Sequence, residues 1–304
     1  VLKAPGMDRR RPGRLSGATD GVALTTFFKP KQNFLFLMRA LKSTAKGILL
    51  AGGTGSRLAP MTDQISKQLL LVGDKPMIYY PLCALMQAGI REILIISTPA
   101  HLPDYRKLLG SGEALGIELA YAEQNQPEGL PQALTIGAAF TGQHPVVLLL
   151  GDNIFWGGTF TVRLAAAAAE TTGATLFAIE YPLADQYGVV EFDTEGQILS
   201  LEEKPSVPKS AWVITGAYVF DPQVAEFARM LKPSKRGETE IIDLLECYHT
   251  QGLLRAERLE PDTHWFDAGT RETLCAASSA VADARQTGDS LGAPYQIAQA
   301  KGWI

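Results

Sequence analysis

Cysteine is scarce in this sequence: three in 304 residues, Cys83, Cys247 and Cys275, far apart and without any Cys-x-x-Cys spacing. That argues against a disulfide framework and a zinc site, and it fits a reducing cytosol. Long apolar runs are missing too. Runs such as 146–150 (VVLLL) are of strand length, well short of the roughly 20 residues of a membrane-spanning helix. Positive charge is lacking over most of the chain. Residues 1–45 hold nine Lys/Arg against two Asp/Glu, whereas 46–304 hold nineteen against thirty, a balance of −11 hidden within a net charge of −4. This argues against a nucleic-acid surface, so an anionic ligand must be met by a few placed cations.

What is present is ordinary globular composition, 46% hydrophobic and 20% charged, enough for one large core or two lobes. Residues 1–45 read as an N-terminal extension outside the fold. A basic run with Pro and Gly occupies 9–14, no sustained periodicity follows, and the broken apolar cluster at 34–38 has no small-residue cleavage site after it. Met38 is a plausible true start, and the extension receives no function.

From Lys46 onward the pattern alternates between strand and helix. Strands are expected at 46–51, 92–97, 117–122 and 145–150, and helices at 76–88, 103–109 and 131–140. This predicts an α/β fold: a doubly wound, mostly parallel, Rossmann-like sheet with helices on both faces. The second half is less regular. Helices are expected at 160–170, 238–251 and 271–285, and strands at 175–180, 189–192, 198–201 and 213–220, several short enough to be antiparallel additions. One mixed domain over 46–304 fits better than two independent units, and no internal repeat is visible.

The first chemical motif is 50–58 (LAGGTGSRL), directly after the first expected strand. Its glycines let backbone N–H groups approach phosphate oxygens. The dinucleotide fingerprint would need a third glycine where Leu58 stands, and no Gly-Lys-Ser/Thr is present, so neither familiar phosphate loop fits. On the glycines alone, a strand-to-helix turn without a ligand is an open alternative. Arg57 in the loop and Lys67 ten residues on shift the balance towards a triphosphate cradle, since Arg grips two phosphate oxygens and Lys supplies a compact charge. Asp152 should emerge at the carboxyl end of a parallel strand, where ligands of open α/β sheets bind. With Asp267 it forms a candidate Mg²⁺ pair, although either alone reads equally well as a turn or cap residue.

Segments 47–60, 66–70, 74–81 (DKPMIYYP), 95–99 (IISTP), 150–155 (LGDNIF), 187–192 (YGVVEF), 201–205 (LEEKP), 236–238 (RGE) and 265–270 resemble, in order, the sugar-phosphate nucleotidylyltransferases and specifically their thymidylyl branch. The resemblance spans 46–304 and implies Mg²⁺-dependent transfer between thymidine triphosphate and glucose 1-phosphate. The product would feed deoxysugar (rhamnose-type) and cell-surface polysaccharide synthesis, in a cytoplasmic homo-oligomer. It implies a nucleotide site at Leu50, Ala51, Gly52, Gly53, Thr54, Gly55, Ser56 and Arg57, with Gln124, Pro127, Gly129 and Asp152. A sugar-phosphate site follows at Tyr187, Gly188, Glu203, Lys204, Ile214 and Trp265, with Arg57 and Lys67 catalytic and Asp152 and Asp267 holding the metal. A glutamine can pair with an imide edge, which supports a pyrimidine. Leu71, Gly73 and Ile242 depart from the family pattern, and the match ends at Ile304, short of the family's final helical segment. A uridylyl or adenylyl transferase, or a catalytically silent sugar-nucleotide-binding protein, is the alternative reading; a nicotinamide oxidoreductase is disfavoured by the missing glycine.

Overall fold

The apolar, branched runs form strands buried on both faces. In the computed structural model, which describes residues 43–53, 55–286 and 291–304, the first of them is β1 (Lys46–Leu50), with Ile48 and Leu49 sealed from solvent. Most of the expected N-terminal extension, including Met38, lies outside the described residues, as does Thr54. After β1 come the short hairpin β2 (Leu71–Val72) and β3 (Lys75–Pro76), then α1 (Tyr79–Gln87), β4 (Glu92–Ser97), α2 (Leu102–Leu109) and β5 (Glu118–Glu123). Next are α3 (Gln132–Ile136), α4 (Ala138–Thr141), β6 (Val146–Leu150), β7 (Asn153–Gly157) and α5 (Phe160–Ala168). The second half contains β8 (Ala174–Glu180), β9 (Gly188–Phe192), β10 (Ile198–Glu203), β11 (Trp212–Phe220), α6 (Val224–Met230) and α7 (Ile241–His249). It closes with β12 (Leu254–Arg258), β13 (Thr263–Asp267), α8 (Arg271–Gln286) and α9 (Pro294–Ala300).

Four parallel strands, in the order β5-β4-β1-β6, make the centre of the main sheet. β11 runs antiparallel beside β6, β8 antiparallel beside β11, and β12 parallel beside β8. The hairpin β9-β10 joins the first half of β11. Side chains alternate between two cores. Leu49, Ile93, Ile95 and Leu149 face α1, α2, α5 and α9, while Ile48, Leu94, Ile96 and Leu148 face α3, α6 and α7. The doubly wound, mostly parallel arrangement read from the sequence is therefore the one found, with antiparallel strands added in the second half. A third cluster packs α8 on the β2-β3 hairpin and on the two-stranded sheet β7-β13.

From β1 the chain moves to β4 and β5 on one side, then crosses back to β6 on the other. Such a reversal opens a crevice at the carboxyl ends of the strands. Leu50 is in register with both Ile96 and Leu150, so the three strands deliver their loops at one level.

Several boundaries differ from expectation. The helix expected at 131–140 breaks into α3 and α4 at Gly137, where a Cβ would lie 2.6 Å from Ile48 Cδ1. The helix expected from 76 starts at Tyr79, because Lys75 and Pro76 pair with Val72 and Leu71. The one expected from 238 starts at Ile241, after a turn in which the Ser234 hydroxyl donates to Glu240 Oε1 at 2.7 Å. The hairpin β2-β3, and β7, β12, β13, α6 and α9, are elements that the sequence pattern does not announce. Among the described residues no helix is long and apolar enough to cross a membrane.

Candidate active site

The glycine loop leaves β1 held on two sides: the Ala51 amide donates to Ile96 O at 2.7 Å, and the Ser97 hydroxyl donates to Ala51 O at 2.9 Å. Gly52 lies directly under Gln124, whose Oε1 would be 1.9 Å from a Cβ there. Gly53 faces open space. Gly55 turns the chain with φ +65°, a conformation that favours glycine, and its carbonyl accepts from the Thr62 hydroxyl at 2.8 Å. The single helical turn Ser56–Leu58 then buries Leu58 in the α8 cluster and leaves Ser56 and Arg57 exposed. Arg57 reaches towards Gly269, where a Cβ would meet its Nη2 at 2.7 Å.

Across the crevice Gln124 is buried, and its amide continues the sheet edge by donating to Ser97 O at 2.8 Å. Pro127 sits exposed in the loop that follows. Gly129, with φ +111°, makes a bridge to Thr239, whose carbonyl would be 2.0 Å from any Cβ. Glycine is thus needed there to let two loops touch.

The charged centre lies at the ends of β1 and β6. Ser66, Gln68 and Tyr105 form a buried network, with Ser66 Oγ 2.7 Å from Tyr105 Oη and 2.9 Å from Gln68 Oε1. That network fixes the turn carrying Lys67, which is buried and ion-paired to Asp152. Burial works against the Asp152 charge, yet Lys67 and the Asn153 side chain outweigh it and hold its carboxyl below the usual range. Asp267 is pushed up to about 6, first by burial and then by the Asp152 charge, with Lys67, Arg57 and Lys204 offsetting part of the rise. The two carboxylates therefore share one field with three cations. No group of three or more His, Cys, Asp or Glu able to hold a metal occurs among the described residues. Mg²⁺ commonly takes only one or two carboxylates and completes its shell with phosphate oxygens and water, so Asp152 and Asp267 fit it as a pair.

Asn153 was not singled out in the sequence, although it follows Asp152 directly. It is buried, and its Oδ1 accepts from the Gly216 amide at 3.0 Å and from Trp265 Nε1 at 2.7 Å. Both partners can only donate, so the amide is fixed with Nδ2 towards Asp152 Oδ1, 3.2 Å away.

The residues expected to meet the sugar phosphate adjoin the same centre. Tyr187, Tyr181 and Trp265 meet edge to face, with ring centroids 5.2 to 5.6 Å apart. Burial raises the Tyr187 hydroxyl pKa above its usual range, with the Asp267 charge adding to the rise. Gly188 opens β9 facing Glu203 and Ile214; a Cβ there would lie 3.5 Å from Glu203 Oε2 and 3.7 Å from Ile214 Cβ. Lys204 closes the β9-β10 hairpin, donating its amide to Tyr187 O at 3.0 Å with φ +44°. A left-handed lysine is uncommon and persists where its surroundings demand it. Arg236, also not singled out as a site residue, contacts Glu203 at 3.3 Å and Glu240 at 2.6 Å. Of the residues expected from the sequence, Arg57, Lys67, Asp152, Asp267, Lys204 and Tyr187 thus lie within electrostatic reach of one another, Gln124 lies over Gly52, and Thr54 is outside the described set.

The model of the nucleotidyl transferase family matches residues 46–284. A glucose-1-phosphate thymidylyltransferase of Neisseria meningitidis is 48% identical over 260 residues, covering 85% of this chain and 90% of the relative. One from Mycobacterium tuberculosis is 48% identical over 263 residues with the same coverage, 85% and 90%. Among solved structures, one from Bacillus anthracis provisionally assigned as a glucose-1-phosphate thymidylyltransferase, in complex with a sucrose, aligns with TM-score 0.75 at 35% identity, covering 83% of this chain and 99% of that one. A UDP-glucose pyrophosphorylase complexed with UDP-glucose shares the fold, with TM-score 0.69 at 24% identity over 79% of this chain and 99% of that one. On the family match and these identities, the chain belongs to the nucleotidyl transferase family of enzymes.

Proposed function

We propose that the chain joins dTTP to glucose 1-phosphate, forming dTDP-glucose and pyrophosphate, the reaction for which its relatives are named. The observation that carries the reading is the convergence of Arg57, the Lys67–Asp152 pair and Asp267 with Tyr187, Trp265 and Lys204 around one crevice. An unreactive turn would have no need to gather cations and carboxylates between a glycine loop and an aromatic trio.

The chemistry is a single in-line displacement. A phosphate oxygen of the sugar 1-phosphate forms a bond to the α-phosphorus, and the bond from that phosphorus to the bridging oxygen breaks, its electron pair leaving with pyrophosphate. The nucleophile is already an anion, so no protein base is required and catalysis rests on positioning and charge neutralisation. Arg57, beside the glycine loop, would grip the nucleotide phosphates. Lys67 spends one of its three donors on Asp152 and would turn the others to the reacting phosphates. Lys204 would hold the sugar phosphate, while the aromatic trio would stack against the apolar face of the ring. Mg²⁺ held by Asp152 and Asp267 would supply Lewis-acid charge neutralisation at the α-phosphate. A cytosolic location fits these water-soluble, charged substrates, and a homo-oligomer fits the family likeness.

The test is pyrophosphate release with each nucleoside triphosphate against glucose, galactose and N-acetylglucosamine 1-phosphates. A preference for dTTP with glucose 1-phosphate is expected; preference for UTP or ATP would reassign the nucleotide, and no release at all would overturn catalysis. Lys67→Ala and Arg57→Ala should each lose on the order of 10²–10³-fold in kcat while remaining folded, and near-normal rates in a folded variant would contradict the roles given.

A further inference from the structure

Behind Gln124 stands a relay of two more side chains. Gln124 Nε2 donates to Gln132 Oε1 at 2.6 Å, Gln132 Nε2 donates to Glu128 Oε2 at 2.9 Å, and the Glu128 amide donates to Gln132 Oε1 at 3.2 Å. A carboxamide turned over exchanges donor for acceptor with almost no change of shape, so what Gln124 offers a ligand depends on what fixes its direction. The far end of the relay fixes it. A carboxylate only accepts, so Glu128 must face the NH₂ group of Gln132; a backbone N–H only donates, so the Glu128 amide must face Gln132 Oε1. Both demands agree. Gln132 therefore presents an oxygen to Gln124, which answers with its own NH₂ group and turns Oε1 over Gly52, at the base of the glycine loop. Glu128 and Gln132 also line a cavity of about 300 Å³ with Thr135 and Thr239, so hydrogen bonds rather than crowding set their direction.

We infer that Glu128 and Gln132 are specificity-positioning residues that hold the Gln124 carbonyl towards the base. An acceptor there suits the N3–H of an imide, as in thymine or uracil, and repels cytosine, whose N3 is itself an acceptor. The inference rests on the thymidylyl reading and deepens it: the relay selects imide bases and leaves the thymine methyl unread.

The experiment compares kcat/KM for dTTP, dUTP and dCTP, with glucose 1-phosphate, in the wild type and in Gln132→Leu, Gln132→Glu and Glu128→Ala, each checked for a native thermal transition. Gln132→Leu should lower the dTTP:dCTP ratio by about 10-fold or more and leave dTTP:dUTP unchanged. Gln132→Glu still offers an acceptor to Gln124 and should keep the dTTP:dCTP ratio even if the nucleotide KM rises. Glu128→Ala alters an exposed side chain and should shift the ratio in the same direction as Gln132→Leu, by less. Equal losses for dTTP and dCTP in Gln132→Leu, or loss of discrimination in Gln132→Glu, would reduce the relay to a structural role and overturn the inference. A wild type that does not favour dTTP over dCTP would overturn the thymidylyl reading itself, a different and separable outcome.

Discussion

Asp267 is costly to keep charged. Burial and the neighbouring Asp152 push its carboxyl up to about 6, above the value it has in an unfolded chain, so the native state holds this proton more tightly than the unfolded state. Stability from this group is present at low pH and is lost as pH rises through the folded value, in the window between about 4 and about 6. At neutral pH without metal, Asp267→Asn should therefore melt at a higher temperature than the wild type, the gain fading near pH 4, while pyrophosphate release falls by about 100-fold or more. Added Mg²⁺ should narrow the difference by stabilising the wild type alone. A thermal scan at two pH values, with and without Mg²⁺, checks this; a variant no more stable than the wild type at neutral pH in chelator would contradict it. If the two carboxylates hold a metal together, as proposed, the site gives up stability for that role, a common trade in enzymes.

Between residues and sheet, small assemblies set the positions of the reacting groups. The Ser66-Gln68-Tyr105 network ties α2 to the Lys67 turn, with Tyr105 Oη donating to Gln68 Oε1 at 3.2 Å. Tyr105→Phe leaves two buried partners short of a hydrogen bond and should cost about 1–3 kcal/mol in urea unfolding, with kcat lowered because Lys67 loses its fixed turn; an unchanged midpoint would mean that water fills the gap. The central strands were legible almost to the residue, because a strand buried on both faces must be a short branched apolar run. Lys67 and Asp152 could be read as candidates beside those strands, and Asp267 as a second candidate carboxylate supported by the family resemblance. β7 and β13 were not, since each becomes a strand only by pairing with the other across about a hundred residues. Asn153 was hidden for the same reason: its partners Gly216 and Trp265 arrive from β11 and β13. Gly129 was read as part of a nucleotide site, and its backbone also brings Glu128 and Thr239 together, which no local pattern announces.

At the scale of the whole described fold, β11 is the strand that joins the parallel centre of the sheet to the β9-β10 hairpin. Its first half pairs with β9, its second half with β6, and β8 runs beside both. The irregularity between Ile214 and Tyr218 contains Gly216, which is bonded to Asn153 beside the charged centre. Native-state hydrogen exchange should accordingly find the amides of β6, β8 and β11 exchanging last and together, as one cooperative unit; early exchange of the β8-β11 pair alone would show that the two parts open separately. If the sugar phosphate sits beside Gly188, as proposed, the shared strand also limits how such an enzyme can acquire a new sugar. A one-residue slip of β11 would reverse its side chains, turning Ile214 away from Gly188 and carrying the Gly216 amide off Asn153 in the same step. Inheritance of a new acceptor is therefore channelled into replacements on the β9-β10 hairpin, while insertions and deletions in β11 are closed to it.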